Sequence, residues 1–446
     1  MLKKILSYGF VEGIAKGLNK LILLLLPFFL NTTDFGKVGL ILSIETLLPF
    51  ITLLGFERAI LRFYSEHDTF QSFDKTLANS INISHLLVLI GLGGLYLLNI
   101  KEVLGLKIFP DLVILLILVY LQGINQIVLN KFRVKENHRK YFKSRLFLQI
   151  GKFVLVLALV YYTKSYLGYL IGGIIVALIT NLLFNVKSTK KSPQKFSSKT
   201  FNYLFLFSWP FIFHGMAVNL LGNADKFILE RYLTLSDVGQ YTFVYSLGSM
   251  MAFGFIGISV YLEPIIYKSD IKQREKLIND YILYGSVISV ILFSIISIFS
   301  QYFLGFIYKK DYANVAYLIP LIAISFIVYP YYLTANYRMI YEKKTRQIAV
   351  LSILTCIFNI VLNFILIPKY HLFASVLVTY ISYFIQALIF TYISYEKKMT
   401  RQMLEILILG ILFFSFIIFK INYFIMILVF LFYIGYLFYI KKIQYD

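Results

Sequence analysis

The chain of 446 residues is 59% hydrophobic and only 15% charged, which excludes a soluble globular protein. The formal net charge of +21 would suit a nucleic-acid partner, but the basic residues lie between apolar segments, where membrane proteins carry them, so no nucleic-acid partner is expected. The single cysteine, Cys356, lies in an apolar segment and excludes a disulfide framework.

Apolar segments recur along the whole chain, each long enough to cross a hydrocarbon layer about 30 Å thick. The sequence therefore predicts an all-α polytopic membrane protein with about fourteen transmembrane helices. No cleavage site follows the first segment, which is therefore expected to remain a transmembrane helix. In chain order the predicted spans are 8–30, 37–56, 77–99, 110–130, 146–163, 166–186, 202–231, 238–262, 278–300, 315–337, 348–367, 371–393, 402–419 and 421–440.

The distribution of basic residues predicts the orientation of the chain. Of the 43 Lys and Arg residues, 30 lie at the two termini and in the even-numbered connections, and 9 lie in the odd-numbered connections. Because cytoplasmic loops are enriched in Lys and Arg, both termini are predicted to be cytoplasmic. Membrane lipids are then expected to contact these basic loops.

An internal repeat organises the chain. Thr33-Asp34-Phe-Gly36 follows the first span and Ser236-Asp237-Val-Gly239 follows the seventh, a shift of 203 residues. Six spans per copy is an even number, so both copies enter the membrane from the same side, which predicts two six-helix lobes with a ligand site between them. The predicted domains are an N-terminal lobe (1–186), a cytoplasmic linker (187–200), a C-terminal lobe (201–393) and an appended helix pair (394–446).

The first span carries three charges that a membrane helix rarely holds. Glu12, Lys16 and Lys20 are spaced four apart, so they lie on one helix face. Glu12 and Lys16 can form an ion pair near the cytoplasmic end. Lys20 lies about 18 Å along the helix from Tyr8, and we expect it to line a cavity or to make an interlobe contact.

The second span adds a carboxylate and two arginines. Glu45 lies in the middle of the span, where it needs either a cation, such as a lysine of the first span, or a coupling proton. Arg58 and Arg62 lie four apart at the cytoplasmic end, where they either face the cavity or flank the span as ordinary positive-inside residues.

Later spans bury further charges. Lys152 lies within the fifth span, and the adjacent Asp225 and Lys226 lie near the outer end of the seventh. A polar stripe on the fourth span, including Gln122, is explained by interhelix hydrogen bonds. Because lysines and arginines outnumber carboxylates among the buried charges, the cavity is expected to bind an anionic group, most obviously phosphate.

Other signals are missing from the sequence. It has no Gly-rich phosphate loop with a following Lys and Ser or Thr, which argues against ATP hydrolysis by the chain. Its five histidines are scattered without metal-ligand spacing. We therefore expect no enzyme activity, no metal and no cofactor.

Several motifs resemble a known family over residues 9–64 and 201–264. They are Gly13-Ile-x-Lys16 with a Leu-rich run and Pro27, Asp34-Phe-Gly36, Gly55-Phe-x-Arg58-Ala-x-x-Arg62-Phe-Tyr64, Asp225-Lys226-Phe-Ile-Leu, Val238-Gly239-Gln-Tyr241 and Pro264. In order and spacing they resemble the polysaccharide flippases (Wzx type) of the multidrug/oligosaccharidyl-lipid/polysaccharide superfamily, which export O-antigen and capsule repeat units.

This resemblance implies a MATE-like transporter fold that carries an oligosaccharide on undecaprenyl pyrophosphate to the outer leaflet of the bacterial inner membrane. It assigns pyrophosphate contacts to Lys16, Lys20, Arg58 and Arg62, with Asp225 and Lys226 as weaker candidates. It also implies an ion gradient, of protons or sodium. Glu45 and Glu12 are the candidate coupling residues, on the argument from the residues themselves. The expected partners are the lipid-linked oligosaccharide, and a polysaccharide polymerase with its chain-length machinery; the chain is expected to work as a monomer.

Two other functions remain open at this point. A multidrug or cation extruder of the same fold should have an acidic cavity, whereas this chain has an excess of Lys and Arg. A membrane polysaccharide polymerase or ligase should have a long external loop with Arg or His, whereas the external connections here are short.

Overall fold

The computed structural model describes residues 2–57, 59–60, 70–184, 196–395, 400–419 and 423–445. Most of these residues are helical, and a short antiparallel hairpin pairs β1 (Glu102–Val103) with β2 (Leu106–Lys107). The helices are α1 (Leu2–Phe29), α2 (Thr32–Thr52), α3 (Phe70–Leu97), α4 (Val113–Val134), α5 (His138–Thr163), α6 (Leu167–Phe184), α7 (Ser198–Leu221), α8 (Ala224–Tyr232), α9 (Leu235–Gly248), α10 (Met251–Lys268), α11 (Ile271–Ile298), α12 (Leu304–Ile307), α13 (Lys310–Ala313), α14 (Ile319–Ser325), α15 (Tyr329–Tyr341), α16 (Thr345–Ser394), α17 (Arg401–Phe419) and α18 (Tyr423–Tyr445).

Many of these helices have the length and composition of membrane spans, which confirms the predicted class. Within the described residues, eight helical segments are long and apolar enough to cross a membrane. The number of fourteen spans stays a prediction. The eight segments are Thr32–Thr52, Phe73–Leu97, Ile108–Val134, His138–Thr163, Leu167–Phe184, Gln273–Ile307, Lys310–Tyr341 and Thr345–Ser394.

Helix α16 is 50 residues long and consists of two helices joined at one residue. The backbone leaves helical geometry at His371, with φ 54° and ψ −136°. Pro368 precedes the break and lacks a backbone N–H to donate. The predicted boundary between the eleventh and twelfth spans lies at this break.

The two copies of the repeated turn have the same local role, because each caps a helix. At the start of α2, the Asn31 side chain accepts a hydrogen bond from the backbone N–H of Asp34 at 2.7 Å. At the start of α9, Asp237 accepts from the Thr234 hydroxyl at 2.6 Å, and the Asp237 N–H donates back to that hydroxyl at 3.2 Å. Polar side chains at these positions satisfy N–H groups that a helix start leaves without partners.

The glycines of the two turns allow their backbones to meet. A Cβ on Gly36 would lie 2.0 Å from the carbonyl oxygen of Leu235, and a Cβ on Gly239 would lie 1.9 Å from that of Thr32. The contact is reciprocal, because Thr32 and Leu235 are separated by the same 203 residues as the two glycines. A hydrogen bond of 2.7 Å between the Thr32 and Ser236 hydroxyls lies beside it. Only glycine permits this approach.

The chain divides into two compact units, unit 1 (Met1–Gly239) and unit 2 (Gln240–Asp446). Helix α7 belongs to unit 1 because it packs against α2 and α3, and its Leu204 is buried with Phe56 and Phe73. The predicted lobes and linker, with boundaries at 186, 200 and 393, stay a prediction.

Candidate functional site

Glu45 is the centre of a buried network in unit 1. Gln122 Nε2 donates to Glu45 Oε1 at 2.8 Å, and the Tyr169 hydroxyl donates to Oε2 at 2.8 Å. Lys152 Nζ donates to Glu45 Oε1 at 3.2 Å and to the Tyr169 oxygen at 3.1 Å. We call Glu45, Gln122, Lys152 and Tyr169 the carboxylate network. It joins α2, α4, α5 and α6 through the side chains of one residue each.

The carboxylate network is electrically neutral and largely shielded from solvent. The side chains of Lys152 and Glu45 are 12% and 10% exposed. The Lys152 ammonium also lies 4.9 Å from the centre of the Tyr169 ring. Of the partners that the sequence left open for Glu45, the structure provides a cation, and that cation comes from the fifth predicted span rather than the first. Lys152, predicted as a substrate contact, is thus engaged by Glu45.

A second group in unit 1 has a different charge balance. Lys20 on α1 is partly exposed, and its ammonium lies close enough to that of Lys226 on α8 for the two charges to repel. Lys226 is only 5% exposed, and its Nζ donates to Asn223 Oδ1 at 2.8 Å. The same oxygen accepts a hydrogen bond from the Ser43 hydroxyl of α2 at 3.3 Å. We call Lys20 and Lys226 the lysine pair.

Asp225 brings a buried carboxylate to the lysine pair. It is 3% exposed, it attracts the Lys226 ammonium, and its Oδ1 accepts a hydrogen bond from the Lys226 backbone N–H at 2.8 Å. The helical structure is interrupted at Gly222 and Asn223, between α7 and α8. This turn positions the Asn223 side chain to accept a hydrogen bond from Lys226.

The other two charges of α1 lie in different surroundings. Arg145 forms a bidentate ion pair with Glu12, with Nε and Nη2 both 2.9 Å from its oxygens, and the Tyr141 hydroxyl donates to Glu12 at 2.6 Å. Lys16 is exposed. Glu12 is therefore paired with a cation of α5. Arg58 and Arg62 lie outside the described residues.

Sequence reasoning missed most of the partners of these charges. Tyr141 and Tyr169 gave no signal, because the chain has 36 tyrosines, and Arg145 was counted only as one of the basic residues between the spans. Gln122 was detectable, since the polar stripe on the fourth predicted span indicated interhelix hydrogen bonds. Asn223 was detectable as a polar residue within an apolar span.

Unit 2 contains a small cavity near Arg338 of α15, lined also by Tyr331, Tyr395 and Gln402. Arg338 already pairs with Glu275 at 2.7 Å and with Glu342 at 3.3 Å, and its guanidinium lies 4.1 Å from the centre of the Tyr395 ring. Two carboxylates beside one guanidinium leave no excess positive charge, so this cavity is a poor anion site. Within the described residues, no group of three or more His, Cys, Asp or Glu side chains could hold a metal ion.

Comparisons with solved structures support the fold. The lipid II flippase MurJ in an inward closed conformation has a TM-score of 0.69 at 16% identity, covering 97% of this chain and 98% of that one. An inward-facing multidrug resistance MATE family transporter of the MOP superfamily has a TM-score of 0.63 at 10% identity, covering 86% and 94%. A MATE structure in the straight conformation has a TM-score of 0.58 at 12% identity, covering 89% and 95%. At these identities the likeness concerns the fold.

The match to a protein family is more specific than the likeness in fold. No curated protein matches the chain. The family described as "Polysaccharide biosynthesis protein" matches residues 1–269, which include the carboxylate network and the lysine pair. Together with the fold, this match confirms the resemblance to the polysaccharide flippases of the MOP superfamily. The chain belongs to the polysaccharide biosynthesis protein family.

Proposed function

We propose that the chain is a flippase that moves undecaprenyl-pyrophosphate-linked oligosaccharide repeat units across the bacterial plasma membrane by alternating access. The flipped units would serve O-antigen, capsule or exopolysaccharide assembly. Family membership and the transporter fold support the general class. The observation that best supports an anionic, lipid-linked cargo is the lysine pair.

The lysine pair would attract an anion by its charge. The ammonium groups of Lys20 and Lys226 repel each other, and a medium of low dielectric constant increases that repulsion. Asp225 attracts the Lys226 ammonium, and Glu12 is engaged by Arg145. A pyrophosphate would be attracted to both ammonium groups and would accept charge-assisted hydrogen bonds from them. Because Lys20 is partly exposed, such an anion could reach it.

We further propose that an ion gradient drives transport and that Glu45 is the coupling carboxylate, with Glu12 as the second candidate. Protonation of Glu45 would remove the negative charge that holds Lys152 and so loosen the contact between α2 and α5. A protonophore and a sodium ionophore, applied separately to reconstituted vesicles, distinguish the two ions. Transport that survives both would contradict this part of the proposal.

The orientation and the partners also belong to the proposal. Both termini are placed in the cytoplasm by the distribution of Lys and Arg. The chain would act as a monomer and deliver its cargo to a polysaccharide polymerase and chain-length machinery.

The alternative is a multidrug or cation extruder, which the likeness to MATE family structures favours. A cationic drug would be repelled by the lysine pair, so the charge of this group distinguishes the two functions.

The test uses a strain in which the gene is deleted and replaced by variants. We expect Lys20→Ala to lower surface polysaccharide about tenfold, because one charge-assisted hydrogen bond to the pyrophosphate is lost. Lipid-linked oligosaccharide should accumulate on the cytoplasmic side, where glycosidase added to spheroplasts cannot reach it. Lys101→Ala, which changes an exposed lysine beside β1, is the matched control.

Membrane insertion is measured in parallel by the amount of protein in washed membranes. Normal surface polysaccharide from the Lys20→Ala strain would remove Lys20 from the site. Normal polysaccharide from the deletion strain itself, with drug sensitivity increased, would instead support the extruder.

A further inference from the structure

Unit 2 has a partly exposed surface made of four tyrosines. They come from three helices: Tyr245 from α9, Tyr329 and Tyr332 from α15, and Tyr383 from α16. We call these four residues the tyrosine surface. None of them carries a charge at neutral pH, in contrast to the lysine pair of unit 1.

Aromatic contacts make the tyrosine surface continuous. The Tyr245 and Tyr383 hydroxyls lie 3.3 Å apart, and the rings of Tyr329 and Tyr332 have centres 5.5 Å apart. Phe326 joins the two halves, with its ring centre 5.3 Å from that of Tyr383 and 5.9 Å from that of Tyr329.

Buried phenylalanines support the surface from behind. Phe326 is 4% exposed, and Phe390, whose ring centre lies 5.0 Å from that of Tyr332, is fully buried. Phe255 is 1% exposed and lies 5.5 Å from Tyr329. The tyrosines are therefore held by packing, while one side of each remains accessible.

The position of the tyrosines argues against a simple lipid-facing role. Tyrosine is enriched in membrane proteins at the two interfaces, where its hydroxyl reaches water. Tyr383, however, lies one residue from the middle of the predicted span 371–393, about 18 Å from its first residue and about 15 Å from its last at 1.5 Å per residue. Enrichment at an interface therefore does not explain a tyrosine at that depth.

The chemistry of the surface fits one class of ligand. A pyranose ring has an apolar face of C–H groups and a rim of hydroxyls. A tyrosine ring can pack its apolar face against the C–H face of the sugar. Its hydroxyl can donate to or accept from the sugar hydroxyls. A neutral surface of this kind has no particular affinity for phosphate or for a cation.

We propose that the tyrosine surface binds the sugar part of the lipid-linked cargo by stacking. This inference rests on the proposed flippase function and adds to it a separate site for sugar recognition, in a unit other than the one that contains the lysine pair. The surface then contributes to discrimination between cargo that carries a complete repeat unit and lipid that carries none.

The experiment compares two probes on the purified full chain in detergent. One is undecaprenyl pyrophosphate without sugar, and the other is the lipid-linked oligosaccharide that accumulates in the deletion strain. The variants are Tyr329→Ala and Tyr332→Ala, with Tyr332→Phe to retain the ring. Tyr302→Ala, which removes a tyrosine of unit 2 that is 60% exposed, is the matched control.

We expect each alanine variant to raise the dissociation constant of the sugar-bearing lipid about tenfold, as loss of an aromatic anchor does. The dissociation constant of the bare lipid should not change, and Tyr332→Phe should retain most of the affinity for both. Equal effects on both lipids, or no effect on either, would overturn the inference while leaving the flippase proposal intact. If the wild-type chain binds neither lipid, the proposed function fails and this inference fails with it.

A second measurement does not depend on the folding of variants. Hydroxyl-radical labelling of the wild-type chain should show protection of Tyr329 and Tyr332 by the sugar-bearing lipid but not by the bare lipid. Equal labelling of these tyrosines with both probes would contradict sugar binding at the surface.

Discussion

Unit 1 and unit 2 each bury a glutamate among helices, but they satisfy it differently. Glu45 in unit 1 accepts from Gln122, Lys152 and Tyr169, each on a different helix. Glu405 in unit 2, only 2% exposed, accepts from the Tyr331 hydroxyl at 2.8 Å and pairs at 3.0 Å with Arg401 one turn away on its own helix.

This difference has a physical consequence. The cation of unit 1 comes from another helix, so the Glu45–Lys152 pair links α5 to α2 across unit 1. The cation of unit 2 lies on the same helix as the carboxylate, and the link to other helices runs through the neutral hydroxyls of Tyr331 and Tyr433, which contact each other. Removing Lys152 takes away the cation paired with Glu45 and also breaks a link between helices, whereas removing the Tyr331 hydroxyl leaves Glu405 its ion pair with Arg401, so the first change should be the more destabilising.

The largest effect is expected for Lys152→Met. It leaves the Glu45 carboxylate buried without its cation, which should lower the free energy of unfolding by about 3–5 kcal/mol. The measurement is equilibrium unfolding in mixed micelles with SDS. In the double variant Glu45→Gln with Lys152→Met no charge is left, so most of the stability should return. A double variant as unstable as the single one would show that the ion pair is not the source of the sensitivity.

A smaller effect is expected for Gly36→Ala, which tests the backbone packing of unit 1 without changing any charged residue. The added Cβ would meet the Leu235 carbonyl oxygen at 2.0 Å, so the turns must move apart. Such overpacking should cost about 1–3 kcal/mol of unfolding free energy. Gly17→Ala on α1 is the control, because a Cβ there has no atom within 4 Å. Equal stabilities of the two variants would contradict the close contact.

The smallest effect is expected in unit 2, for Tyr331→Phe. It removes one hydroxyl donor to Glu405 while Arg401 stays in place, which should cost about 1 kcal/mol. Tyr302→Phe, at an exposed ring, should leave the unfolding midpoint unchanged. If Tyr331→Phe destabilised the chain as much as Lys152→Met, the contrast between the two units would not hold.

Local sequence features were sufficient for the class of protein and for several helix boundaries. The long apolar segments predicted an α-helical membrane protein, since only helices satisfy their backbone within such a segment. The repeated turns that begin at Asn31 and Thr234 are caps, whose hydrogen bonds join residues three apart. The break at His371 coincides with a predicted boundary between spans. All of these depend on neighbouring residues, and the motifs that indicated the family are likewise short.

The tertiary structure alone decided which charges meet. Glu45 and Lys152 are 107 residues apart, and the two lysines of the lysine pair are farther apart still. In a segment that is apolar on every side, the sequence does not indicate how the helix is rotated about its axis, so it does not indicate which neighbour a lone charge faces. That rotation is determined by packing between helices. For the same reason the sequence did not indicate that the charged residues of α1, predicted on one face, lie in separate surroundings. Nor did it indicate that the four residues of the tyrosine surface lie together.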